Sequence, residues 1–341
     1  MFQATVISSI IPLDLPEFCV CVALLELRTR PLSTDNFYVD PSEPSKSSQH
    51  TSESMRPILR HPRYITIPTR ARRRSYTSLR QSTTSLGNKK VIVTGGANGI
   101  AEATVRAFAR EGASVVSMDI NDDKGIAVAN SATKAGPGTV TYMHCDITKQ
   151  DHVNRAFDKA VTELGGLDAL AAIAGTEAIK PAENLTGADM DAMINVHLKH
   201  TVFTNIAALR TMKESGGGSI INYGSHVAIT AHFLEMAAYG AAKGAVLAWT
   251  RNVATEWAKY NVRVNSVCPS VWTPLARRIV NDLGEEEKKR FSDYFKNNVL
   301  LGGDLGDIKH PANLNVFLAS DNASFITGQM IQVDGGQVFA R

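Results

Sequence analysis

The chain is predicted to fold as an α/β protein, a single doubly wound parallel sheet with helices on both faces, over residues 89–341. Three observations predict it. Short β-branched or apolar runs alternate with alanine-rich or amphipathic stretches of helical length, the pattern of a parallel sheet covered on both sides. The first run leads straight into a glycine cluster that opens a helical stretch. Later runs stop at Asp119, at Gly224-Ser225 and at Pro269, which places polar residues at strand carboxyl ends, the edge where open α/β sheets bind ligands.

The elements follow in order. Lys90–Thr94 is a short apolar strand, and Gly95 to Ala101 (G-G-A-N-G-I-A) is the turn before a helix that runs to Arg110. Glycines let a backbone approach an anion, and the unpaired N–H groups of a helix start attract it, so this turn is read as a pyrophosphate cradle. The second strand, Ser114–Met118, ends in Asp119, an acid suited to ribose hydroxyls and repelled by a 2′-phosphate. Neither Arg nor Lys occupies Gly96, Ala97, Asn98, Ile120 or Asn121. The expected cofactor is therefore NAD, in preference to NADP. Strand Thr139–Met143, helix Lys149–Leu164, strand Leu167–Ile173 and a long helix Asp189–Lys213 continue the alternation. Asn195 lies in that helix between apolar neighbours, and a buried asparagine requires a partner.

Ser219–Tyr223 is the next strand, and Ser225 stands just past its carboxyl end. The helix Tyr239 to Tyr260 places Tyr239 and Lys243 at i and i+4, on one face. A phenol titrates at about 10 and is a poor base at neutral pH, but a neighbouring cation favours the phenolate. A serine hydroxyl close by can hold a carbonyl or alcohol oxygen while a proton moves. Val262–Cys268 is a further strand, and Leu275–Asn298 a helical segment beyond it.

The net charge of +3 is unevenly placed. No acid lies between Met55 and Ala101, while Arg56, Arg60, Arg63, Arg70, Arg72, Arg73, Arg74 and Arg80 do. Residues 1–88 are read as a disordered extension whose part from Met55 resembles a mitochondrial transit peptide. A soluble intracellular protein is expected, cytoplasmic, or mitochondrial if translation starts at Met55. Phe18–Leu25 is too short to span a bilayer and is flanked by Glu17 and Glu26. The four cysteines show no C-x-x-C or paired histidine spacing, so no metal site is expected. Neither a nucleic acid nor a membrane is an expected partner.

These motifs, in this order and spacing, resemble the short-chain dehydrogenase/reductase family from about Gly87 to the C-terminus. The pieces are T-G-G-A-N-G-I-A at Thr94–Ala101, Asp146 after the third strand, A-I-A-G at Ala172–Gly175, Asn195, Ser225, Tyr239-x-x-x-Lys243, N-S-V-C-P at Asn265–Pro269, Thr273-Pro274, and F-I-T-G-Q-M-I-Q-V-D-G-G at Phe325–Gly336. The resemblance implies a Rossmann-type fold and a catalytic tetrad of Asn195, Ser225, Tyr239 and Lys243. It implies cofactor contacts from Gly95, Asn98, Gly99, Ile100, Asp119, Asp146, Ile147, Ala174, Gly175, Tyr239, Lys243, Pro269 and Thr273. It further implies a homotetramer or homodimer built on the two long helices, with Ala241, Ala242, Ala245 and Ala248 permitting close approach, and a mobile lid from Trp272 onward.

Ala101 replaces the last glycine of the cofactor motif, Ala172 and Ile173 replace two asparagines with their sheet-bracing hydrogen bonds, and Ser270 stands in a segment one residue short. His226, His232, Glu235 and Met236 lie where the family contacts substrate, the histidines being read as loop residues without catalytic duty. Trp272, Leu275 and Ile279 facing Val227, Phe233 and Met236 suggest an apolar alicyclic or aromatic substrate of the steroid, terpenoid, polyketide or cyclic alcohol type. The expected activity is interconversion of a secondary alcohol and a ketone. A non-catalytic dinucleotide sensor of the same fold is the alternative.

Overall fold

Seven parallel strands carry the fold. The computed structural model describes residues 85–230 and 234–339, all within the unit Arg73–Arg341. The elements run β1 (Lys90–Thr94), α1 (Gly99–Arg110), β2 (Ser114–Asp119), α2 (Asp122–Ala135), β3 (Thr139–His144), α3 (Gln150–Leu164) and β4 (Ala169–Ala172). They continue with α4 (Gly187–Met193), a π-helical turn (Ile194–Lys199), α5 (His200–Met212), β5 (Gly218–Tyr223), α6 (Ala237–Trp257) and β6 (Val262–Pro269). After these come β7 (Val271–Trp272), α7 (Pro274–Asp282), α8 (Glu285–Asn298), β8 (Gly306–Asp307), α9 (Lys309–Ala319) and β9 (Met330–Val333). The main sheet has the order β3-β2-β1-β4-β5-β6-β9, every pair parallel, and β7 pairs with β8 apart from it. The doubly wound architecture expected from the alternation is the one observed.

The order reverses between β1 and β4, which opens a crevice at their carboxyl ends. Alternation along each strand feeds two cores. Val91 and Val93 join Phe108, Ile221 and Leu318 on one side, while Ile92 joins Met118, Phe157, Leu170 and Ile220 on the other. Side chains two apart share a face, and because both faces are covered the central strands read as continuous apolar runs.

The structure corrects several sequence boundaries. Leu86, placed in the extension, is fully buried in the first core and its N–H donates to the Glu111 carbonyl at 2.9 Å. The long helix Asp189–Lys213 is interrupted by the π-helical turn. Ala242 is 2% exposed and packs inside this chain, whereas Ala241 is exposed and Ala245 and Ala248 are half-buried. The extension through residue 84, with its transit-like part, lies outside the described residues, as do His232 and Phe233. No described helix is long and apolar enough to cross a membrane.

One polar network locks α5, β5 and α6 together beneath the site. Asn205 and Asn222, both fully buried, exchange amide hydrogen bonds of 2.8 and 2.9 Å. Asn222 also donates to Thr250 Oγ1 at 3.0 Å, and Trp249 Nε1 donates to Asn205 Oδ1 at 3.0 Å. Asn222→Leu would leave the Asn205 amide buried without its partner, and a loss of about 1–3 kcal/mol is expected. Chemical denaturation checks this, and the double variant Asn205→Leu/Asn222→Leu should cost less than the sum of the two single changes.

Candidate active site

A cavity of about 780 Å³ opens along the carboxyl edge of the sheet. Its first wall is the glycine turn between β1 and α1. Asn98 caps α1, its Oδ1 accepting from Gly99 N at 2.9 Å. Gly95 has φ +76°, and a Cβ there would lie 2.8 Å from Ala174 Cα; Gly99 has φ +61°. Side chains would therefore strain the turn and close the groove. Asp119, at the end of β2, accepts from Ala97 N at 3.1 Å and from Asn121 N at 2.9 Å. The acid thus braces the cradle while lining the cavity. Gly95, Asn98, Gly99, Ile100 and Asp119 form this wall, Asp146, Ile147, Ala174 and Gly175 the next, and Pro269 and Thr273 the far side.

Three departures noted in the sequence are absorbed by packing. Ala101 is 3% exposed within the core. Ser270 Oγ donates to Gln337 Oε1 at 2.6 Å, and Thr273 caps α7 by accepting from Ala276 N at 2.9 Å. Where Ala172 and Ile173 replace asparagines, Thr94 Oγ1 accepts from Ile173 N (3.1 Å) and Ala174 N (3.3 Å) and pairs with His200 Nε2 (2.9 Å). A buried histidine thereby helps to brace the neighbouring strand ends.

Ser225, Tyr239 and Lys243 meet at the centre of the cavity, all buried. Ser225 Oγ accepts from Val227 N at 3.2 Å, and the Ser225 hydroxyl hydrogen-bonds the Tyr239 phenol. Lys243 Nζ donates to the Tyr223 carbonyl at 2.8 Å and lies 5.7 Å from the Tyr239 ring centroid. Burial pulls Lys243 down to about 8, opposed by Cys268 and Glu177. Burial pushes the Cys268 thiol up to about 12, so at neutral pH that thiol is uncharged; burial also raises the Glu177 carboxyl, opposed by Lys243.

The lysine does not lower the phenol as the i, i+4 spacing suggests. Burial drives Tyr239 up, Glu177 adds to the rise, and the hydrogen bond with Ser225 opposes both. The ammonium is aimed at the Tyr223 carbonyl, and desolvation of the phenolate is the largest cause of the rise.

Asn195 is not brought into this group. It is half-buried in the π-helical turn, and the cavity is lined by its successors Val196 and His197. An extra residue in a helical turn rotates every later side chain about the axis, a shift the regular helical spacing conceals. His197 is 1% exposed, and its ring meets Tyr239 edge-on with centroids 5.2 Å apart. Glu177, also unremarked in the sequence, lines the same wall, and burial raises its carboxyl. Its signal was a lone acid two residues after A-I-A-G. Trp272 is turned away from the cavity: it packs on Phe291, its Nε1 donates to Asp304, and Arg277 stacks on it at 5.0 Å. The apolar wall comes instead from Ile179, Val227, Leu234, Met236, Leu275 and Ile279, with Phe291 and Phe295 behind, while Arg278 stands among them. Among the described residues no cluster of His, Cys, Asp or Glu is placed to hold a metal ion.

A crevice at the strand-order reversal, a glycine cradle at a helix start and a serine–tyrosine–lysine group define a dinucleotide-dependent oxidoreductase. The model of the family described as enoyl-(acyl carrier protein) reductase matches residues 95–337. An NAD-dependent glycerol dehydrogenase of Listeria innocua is 32% identical over 74% of this chain and 94% of its own length. Cyclopentanol dehydrogenase of Comamonas testosteroni is 32% identical over 74% of this chain and 97% of its own. A solved 7α-hydroxysteroid dehydrogenase complexed with NADH and 7-oxo glycochenodeoxycholic acid superposes with a TM-score of 0.68, at 28% identity, over 74% of this chain and 96% of that one. The chain belongs to the short-chain dehydrogenase/reductase family and is an oxidoreductase acting on CH–OH groups. Its cofactor is a nicotinamide dinucleotide, and the cradle, which a Cβ at Gly95 would obstruct, fits that group.

Removing the Glu177 anion has a definite sign. Without it both Tyr239 and Lys243 titrate lower, since it raises each. If Tyr239 is the base that takes the proton in alcohol oxidation, Glu177→Gln should move the rising pH limb toward lower pH. Profiles of kcat/KM for oxidation in the two proteins check this.

Proposed function

We propose that the protein interconverts a secondary alcohol and a ketone on an apolar alicyclic or aromatic molecule, using NAD. The observation that carries the reading is the placement of Ser225, Tyr239 and Lys243 in one buried cavity with an apolar wall. A nicotinamide dinucleotide held there would supply the hydride acceptor or donor. Gly95, Asn98, Gly99 and Ile100 would hold the pyrophosphate and Asp119 the adenosine ribose. Lys243 and Thr273 would lie at the nicotinamide end. Ser225 holds the substrate oxygen, and Tyr239 gives that oxygen a proton or takes one from it. Before any cofactor binds, the phenol is protonated at neutral pH, because burial raises it. That is the form which protonates a ketone. Oxidation requires the deprotonated form, so oxidation should be favoured at higher pH than reduction.

The preference for NAD is supported by the Asp119 carboxylate at the ribose end of the cradle. The apolar substrate class is supported by Ile179, Val227, Met236, Leu275 and Ile279, since such pockets bind chiefly by burying apolar surface. The cyclopentanol and hydroxysteroid relatives agree with it. A missing methylene should then cost about 1–3 kcal/mol in transition-state binding.

Purified protein with NAD, tested on cyclohexanol-like alcohols, larger polycyclic alcohols and 2-hydroxy acids, tests the reading. The cyclic alcohols should be turned over, and Tyr239→Phe should lower kcat by at least about 100-fold with NAD binding retained. Equal activity in that variant would sink the mechanism, and a clear preference for hydroxy acids would make Arg278 a carboxylate ligand instead. Asp119→Ala should erode the NAD preference in a binding titration, and tighter binding of NADP(H) by the unaltered protein would refute it.

A further inference from the structure

His197 is a buried polar group that neither the fold nor the proposed reaction employs. It lines the cavity at 1% exposure, between the edge of the Tyr239 ring and the backbone of Gly175. The two rings stand at 85°, and a Cβ at Gly175 would come within 2.8 Å of His197 Cε1, so the imidazole fills the whole gap. The Thr176 backbone is the one hydrogen-bonding neighbour within reach of the His197 ring, outside good geometry, so at least one of the two ring nitrogens is left without a partner. Its neighbour His200 differs, for its Nε2 is paired with Thr94. A buried polar atom left without a partner is retained against a desolvation cost, and at the wall of a cavity its natural partner is what enters.

Resting on the proposed alcohol–ketone chemistry, we infer that His197 is a positioning residue of the Tyr239 reaction. Its neutral imidazole braces the phenol ring and hydrogen-bonds a hydroxyl oxygen brought into the cavity, borne either by a second oxygen of the substrate or by water. Neutrality follows from the surroundings. Burial pulls its pKa down to about 2, the Lys243 ammonium and His200 act in the same direction, and only the Thr176 backbone opposes them. Among the described residues the carboxylates lining the cavity are Asp119, Asp146 and Glu177, and burial raises the Glu177 carboxyl. An uncharged imidazole donates from one nitrogen and accepts at the other, which suits it to a hydroxyl group. The family resemblance implies a place for Asn195 beside Ser225, Tyr239 and Lys243, but it is His197 that the π-helical turn presents to the Tyr239 ring.

Two measurements on the full chain test it. In 15N-histidine NMR, with the His197 signal identified by its loss in His197→Asn, the ring should stay uncharged from pH 5 to pH 9. Its nitrogen shifts should move when NAD and cyclohexanol are added. Kinetics then compare His197→Leu, which keeps bulk, with His197→Asn, which keeps a hydrogen-bonding group. Leu should lower kcat/KM about tenfold or more and Asn less than about threefold, with NAD affinity unchanged in both. A rise in KM confined to cis-1,2-cyclohexanediol assigns the oxygen to substrate, and an equal fall in kcat on the diol and on cyclohexanol assigns it to water. The inference is overturned if Leu matches the unaltered protein, if Asn is as poor as Leu, or if His197 takes up a proton between pH 5 and pH 7. Absence of turnover by the unaltered protein on every alcohol would count against the proposed function instead. The NMR titration would still decide the inference, because unmoved shifts on ligand addition refute it.

Discussion

A lysine ammonium held in the protein interior is the constraint on which the site depends. Lys243 is 5% exposed, and its Nζ donates to the carbonyl of Tyr223, the last residue of β5. No ion pair at bonding distance is formed by it among the described residues. Removing a charge from water without a close counter-ion is costly, and the protein answers by lowering the pKa, here to about 8. That value leaves the group able to hold or release a proton near neutrality. The remaining neighbours are tuned around it: the Tyr239 phenol is held high, and the His197 and His200 imidazoles are held uncharged.

The cost of such a centre is carried by a rigid support. Asn205, Asn222, Thr250 and Trp249 join α5, β5 and α6 through satisfied buried hydrogen bonds directly beneath the reacting residues. Gly224, between β5 and Ser225, lets β5, α6 and β6 close up, since a Cβ there would meet Leu247 Cδ2 at 2.6 Å and Cys268 Sγ at 2.7 Å. The same tightness that excludes water around Lys243 therefore also fixes where Ser225 stands. Across the cavity the binding wall is different in kind. It is assembled from α7, α8 and the segments that precede α4 and α6, which suits it to vary in shape while the chemical end remains constant.

Much of this was legible in the residues. The alternation of apolar runs and helical stretches specifies a parallel sheet because each strand must bury both faces. The positions of Asp119, Ser225 and Pro269 at run ends place them on the ligand edge for the same reason. A glycine turn between a strand and a helix carries its conformational demand in its composition. Thus every cofactor residue expected from the motifs, from Gly95 to Thr273, lies on the cavity.

What the sequence by itself determined, then, is the architecture and the identity of the residues at strand ends and on one helical turn, because those arise from periods of two and of about four residues. The tertiary structure decided what interrupts those periods or acts through space. A single π-helical turn sets Asn195 aside and presents His197, although a regular helix from Asp189 to Lys213 is what the pattern implies. Glu177 acquires meaning only because the fold brings it near Lys243 and Tyr239. The direction of the Tyr239 shift likewise depends on burial, which is a property of everything packed around the ring and is its largest cause.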